Sequence, residues 1–137
     1  MSYFPSKYLI RHVYHIQAVT NNAAATVDLI VPKGKIWLLV AGFLSNGDNV
    51  QRTFQTFVYD DMDRTVTQIQ YEDLTAGNTC CFPHRQDANK NIVTMHPQYL
   101  MPARWKVHVD IAAGGVSAGG NCQVSLWVVE FDEPHGY

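Results

Sequence analysis

Charge is scarce in this chain. Asp, Glu, Lys and Arg make up 16% of its 137 residues, against about a quarter in a typical soluble domain. The formal net charge is −2, which excludes a general nucleic-acid or anionic-membrane binder. Long hydrophobic runs are missing as well, since none reaches the roughly 18 residues of a membrane span. The opening MSYFPSKYLI has no basic stretch followed by an apolar one, so no secretory signal is visible. Cysteine is limited to Cys80, Cys81 and Cys122. An odd number with an adjacent pair is not a disulfide framework and points to free thiols in a reducing cytoplasm.

Catalytic patterns are missing in the same way. No Gly-x-Ser-x-Gly elbow occurs. Six histidines are present, but none forms the His-x-His pair with which cupin jelly rolls hold a metal. His12 and His15, three apart, face opposite sides of a strand. Cys80, Cys81, His84 and His96 lack the Cys-x₂-Cys spacing of a zinc site. Asp60, Asp61 and Asp63 resemble a calcium-loop fragment without its central glycine and closing glutamate, so a solvated turn is expected. Gly114-Gly115 and Gly119-Gly120 lack the strand and helix of a nucleotide site. No catalytic, cofactor or metal residue is therefore assigned, and the chain is read as no enzyme. A cupin-like metalloenzyme is the remotest alternative.

What the chain does have is short strands between turns. Val31–Ser45, VPKGKIWLLVAGFLS, is its centre. Strict alternation puts Trp37, Leu39, Ala41 and Phe43 on one face, and Ile36, Leu38, Val40, Gly42 and Leu44 on the other. Neither set is polar, so both faces need cover, from the domain core and from a second layer or a neighbouring subunit. Arg11–Val19 and Thr26–Val31 precede it, the latter with Val27, Leu29 and Val31 on one face. Asn46-Gly47-Asp48-Asn49 is a turn signal. Arg52–Tyr59 and Arg64–Gln70, joined by an Asp-rich turn, read as a hairpin, and Gln68 and Gln70 place it at an edge or a solvated face. A short strand around Thr79–Phe82 lies in the least regular part, Tyr71–Asn91. Trp105–Ile111 alternates with Lys106, His108 and Asp110 outward, and Asn121–Phe131 is the last strand. Pro102-Ala103-Arg104-Trp105 echoes Pro32-Lys33-Gly34-Lys35-Ile36-Trp37.

This gives an all-β fold, a single-domain antiparallel β-sandwich or jelly roll of about eight strands over residues 11–137, preceded by a contact arm at 1–10. The strand tryptophans Trp37, Trp105 and Trp127 are expected in core packing. Tyr3, Phe4, Pro5, Tyr8 and Leu9 of the arm are hard to bury in their own core and are the interface residues, joined by Trp37 because its strand is buried in the core or between subunits.

VPKGKIWLLVAGFLS, Arg52 before a strand ending in Tyr59-Asp60, LMPARWKVHVD, and a Gly-rich loop before SLWVVEF together resemble small tailed-phage virion proteins of jelly-roll type. The resemblance spans about Val31 to Phe131. It implies a non-enzymatic decoration (cement), head-fibre or tail-associated protein in the virion, assembled in the host cytoplasm. The implied partners are further copies of the chain, with a trimer favoured, and the major capsid protein or another virion protein. The alternative is a receptor- or glycan-binding module of a tail or head fibre, with an exposed Tyr or Trp beside Asp or Asn in the Asp60–Asp63 turn or the Tyr71–Asn91 loop.

Overall fold

The computed structural model describes residues 9–19, 23–82, 85–86, 92–93, 99–113 and 120–134. Among these, every regular element is a strand. The strands are β1 (Leu9–Val19), β2 (Ala25–Ile30), β3 (Lys35–Gly47), β4 (Arg52–Tyr59), β5 (Thr65–Leu74), β6 (Thr79–Phe82), β7 (Arg85–Gln86), β8 (Ile92–Val93), β9 (Tyr99–Met101), β10 (Lys106–Ile111) and β11 (Gly120–Asp132).

One sheet, sheet A, runs β1-β11-β3-β6, with β9 also paired to β3. The other, sheet B, runs β2-β10-β4-β5, and β7 and β8 form a small ribbon. All pairs are antiparallel. The pairing is nested: β4 with β5, β3 with β6, β2 with β10, β1 with β11. The chain is one long hairpin whose tip is the β4–β5 turn, folded so that alternate rungs fall into two facing sheets. That is the jelly-roll wind, with β7, β8 and β9 as small additions between β6 and β10.

The core lies between the sheets. Val27, Leu29 and Val31 enter it from the β2 segment, Val107, Val109 and Ile111 from β10, and Phe54 and Val58 from β4. From sheet A come Trp37, Leu39 and Leu44, then Cys122, Val124, Leu126 and Val128. Strict alternation predicts most of these positions, because a strand with one covered face must bury every second residue.

Alternation fails where the ladders slip, once on β3 and twice on β5. Trp127 pairs with Ala41 but Val128 pairs with Leu39, so Val40 is the extra residue. Trp37 and Leu39 point inward before it; Gly42, Leu44 and Asn46 point inward after it. The two face sets expected for this strand are therefore each split in half. On β5, Thr56 pairs with Gln70 and Phe57 with Gln68, which leaves Ile69 unpaired. Ile69 and Gln70 are both buried as a result, so Gln70 is not the solvated residue expected. One inserted residue reverses the parity of everything beyond it.

β3 also runs on through Asn46 and Gly47, which the sequence places in a turn. Gly47 is needed there because a Cβ would sit 2.1 Å from the Asn121 carbonyl oxygen. The Asn46 side-chain amide donates to the carbonyls of Val50 and Leu74, at 2.8 and 2.9 Å. Arg52 and Asp48 are both wholly buried. Arg52 Nε donates to Asp48 Oδ2 at 2.8 Å, and Nη1 donates to the Ala112 and Ala23 carbonyls at 3.1 and 3.3 Å. This polar knot ties the end of the sandwich together.

Candidate functional site

With the core filled, interest passes to the outward faces. The outer face of sheet A is apolar at its centre. Trp127 is 48% exposed and Phe43 37% exposed. Their rings meet edge to face at 5.8 Å, the arrangement aromatic quadrupoles prefer. Val40, lifted by the bulge, is exposed beside them. Leu38 and Val129 are half buried in the adjoining rows, and Leu100 on β9 is 62% exposed. Polar groups bound the patch along the strands. Thr79 Oγ1 donates to Ser45 Oγ at 3.1 Å at one end, and Lys35 pairs with Asp132 at 2.5 Å at the other. An apolar centre within a polar rim is the anatomy of a protein contact surface.

The outer face of sheet B differs. The His108 ring has Asp28 Oδ1 at 2.5 Å from Nδ1 and Asp110 Oδ1 at 2.7 Å from Nε2. Tyr59 stacks on that ring at 4.5 Å. Lys106 reaches Asp63 at 2.7 Å and Asp28 at 3.5 Å, and its hydrogen bond to Asp63 raises its pKa above the usual lysine value. The sets Asp28 on β2, Lys106 to Asp110 on β10 and Tyr59 on β4 meet only because the sheet register lines them up. Each group here holds another, so the cluster fastens β2 to β10. Next to it, Tyr71 is 46% exposed and pairs with Gln55, which pairs with Asp110.

Of the expected interface residues, Tyr3, Phe4, Pro5 and Tyr8 lie outside the described residues. Leu9 opens β1, its backbone opposite Glu130, so the strand takes in the last two residues of the expected arm. Trp37 is 2% exposed and in the core, as expected of a strand tryptophan, so within this chain it offers no free surface as an interface residue. Its indole N–H donates to the buried carboxylate of Glu130 at 2.8 Å, which fixes it there rather than on a surface. Trp127 is corrected, from core to outer face. Its parity could have revealed this, since Gln123 and Ser125 share it while Val124, Leu126 and Val128 hold the other.

Among the described residues, no three His, Cys, Asp or Glu side chains gather as metal ligands. Cys80 is partly buried and Cys81 exposed, on opposite faces of β6; His84 and His96 lie outside the described residues. Asp60 forms a turn lock. Its Oδ1 accepts from the Met62 and Arg64 backbone N–H groups, both at 2.9 Å, and its Oδ2 from Arg64 Nε at 2.8 Å.

No protein-family model matches the chain, and no curated protein matches it. Among solved structures it is similar to a chain in the structure of infectious bursal disease virus Gx strain, at 11% identity and a TM-score of 0.44. That similarity covers 95% of this chain and 33% of the other, so the chain spans about a third of that protein's length.

Proposed function

We propose that this chain is a non-enzymatic structural protein of a virus particle, a decoration or cement protein of a tailed phage that assembles as a homo-oligomer, with the trimer favoured, on the major capsid protein. The observation that carries this reading is the outer face of the central pair β3–β11. Leu38, Val40, Phe43, Trp127 and Val129 make it apolar in the middle of a sheet. An unneeded apolar patch costs solubility, so such a face is kept for a partner. The low charge content of 16% fits a chain with much of its surface against other proteins, and the resemblance over Val31–Phe131 names the setting. The mechanism is mass action: a protein that binds only the assembled lattice adds its binding free energy to the shell, and many linked copies multiply a modest affinity.

Light scattering on the purified chain tests the oligomer, with a trimer the expected mass. A stable monomer at micromolar concentration sinks the reading. Glycan binding by a fibre module is the second reading, favoured by exposed Tyr71 in the row of Gln55 and Asp110. A glycan array on which the protein is silent removes it.

A further inference from the structure

The apolar patch on sheet A lacks the area of a stable flat interface. On β11, β3, β6 and β9 it runs from the Ser45 row to the Ile36 row, roughly 30 Å along the strands and about 10–14 Å across. That is on the order of 400 Å², about half of what each partner gives to a standard interface. A groove-filling segment suits it better than a second flat sheet, because a segment laid on the patch is itself buried from both sides.

Resting on the homo-oligomer reading above, we infer that residues 1–8 of one copy lie across the outer face of sheet A of a second copy, with Tyr3, Phe4 and Tyr8 against Phe43 and Trp127. The segment is aromatic where the patch is aromatic, and Lys7 is its only charged side chain. The geometry separates a second copy from the same one. Leu9, the first described residue of β1, lies opposite Glu130. The patch centre lies further along β1 from that point: Trp127 is opposite His12, and Ser125, the partner of Phe43, is opposite Tyr14. Those rows are about 10–17 Å back along the strand. Phe4 is five residues before Leu9, at most about 17 Å away with the chain fully extended. To reach its own patch the segment must reverse direction and also cross one or two strands, and the reversal uses up that reach. On a neighbour no reversal is needed.

The chain carries its own reporter. Cys81 is exposed and opposite Phe43 across the β3–β6 ladder, so it borders the patch. The full-length Phe4→Cys variant is treated with a short bis-maleimide beside wild type and the double variant Phe4→Cys, Cys81→Ser. The expected result is a ladder of covalent dimers and larger species in Phe4→Cys alone. A linked product that runs as monomer, carrying an internal bridge, overturns docking on a second copy. No linkage in a protein that still has oligomer mass overturns the segment as occupant and leaves the oligomer standing. As a second measurement, removal of residues 1–8 weakens self-association about tenfold or more, as loss of aromatic anchors does, while the melting curve stays cooperative. Unchanged association also overturns the inference. A wild-type monomer would instead sink the reading beneath it.

Discussion

Gly34 and Arg104 occupy matching places in the two proline turns. Lys35 N donates to Pro32 O at 3.1 Å and Trp105 N to Pro102 O at 3.2 Å, and the residue before each donor is left-handed, at φ 79° and 71°. The turns are stitched together, Val31 N to Trp105 O at 2.8 Å and Arg104 N to Val31 O at 2.9 Å. The echo seen in the sequence is thus a physical pair. A Cβ at Gly34 meets nothing within 4 Å, so Gly34→Ala costs only the left-handed penalty, about 1 kcal/mol. Arg104→Gly relieves the same penalty but adds unfolded-chain entropy, so it gains less than about 1 kcal/mol. Denaturant midpoints of the two variants check both signs. Thiol reactivity separates at the same scale. Burial first, then the charges of Glu72 and Cys81, push the Cys80 thiol up to about 12, and burial raises Cys122. Iodoacetamide on the native protein at pH 8 labels Cys81 first, read by peptide mass; equal labelling of Cys80 contradicts its placement.

At the scale of elements, the knot of Asn46, Asp48 and Arg52 sets how the β3–β4 connection closes. Arg52→Leu leaves Asp48 charged and buried without its cation, and a broken buried pair costs about 3–5 kcal/mol. A loss below about 1 kcal/mol in urea unfolding would show Asp48 reaching water. The hairpin tip responds to acid. The Arg64 backbone N–H, with help from that of Met62 and the Arg64 guanidinium, holds Asp60 below the ordinary carboxylate value of 3.8. A lowered folded pKa stabilises above the unfolded value, and that contribution is lost as pH falls through the folded one. Amide exchange at Met62 and Arg64 therefore stays protected from pH 7 down to about 4, then rises. In Asp60→Asn the protection is low throughout and lacks this acid step.

At the scale of the molecule, the nested pairing brings β1 to β11 and leaves, among the described residues, one apolar outer face. Replacing Phe43 and Trp127 together with Ser removes the aromatic pair from that face and takes nothing from the core. Self-association weakens by about tenfold or more, while the melting temperature moves by no more than about 4 °C. A large fall in melting temperature with association intact would make the pair structural instead.

The residues by themselves determined the all-β class, all the longer strands, the hairpin and the apolar faces of β2 and β10, because alternation and turn chemistry are local and act within a few residues. Only the tertiary structure decided the rest. The bulges at Val40 and Ile69 show in the pairing with a partner strand, so the parity beyond them could not be counted from one strand alone. Trp37 finds a buried acceptor for its indole N–H in Glu130, 93 residues away. The His108 cluster and the Arg52 knot likewise join side chains from separate segments, and such neighbours exist only once the long hairpin has folded over on itself.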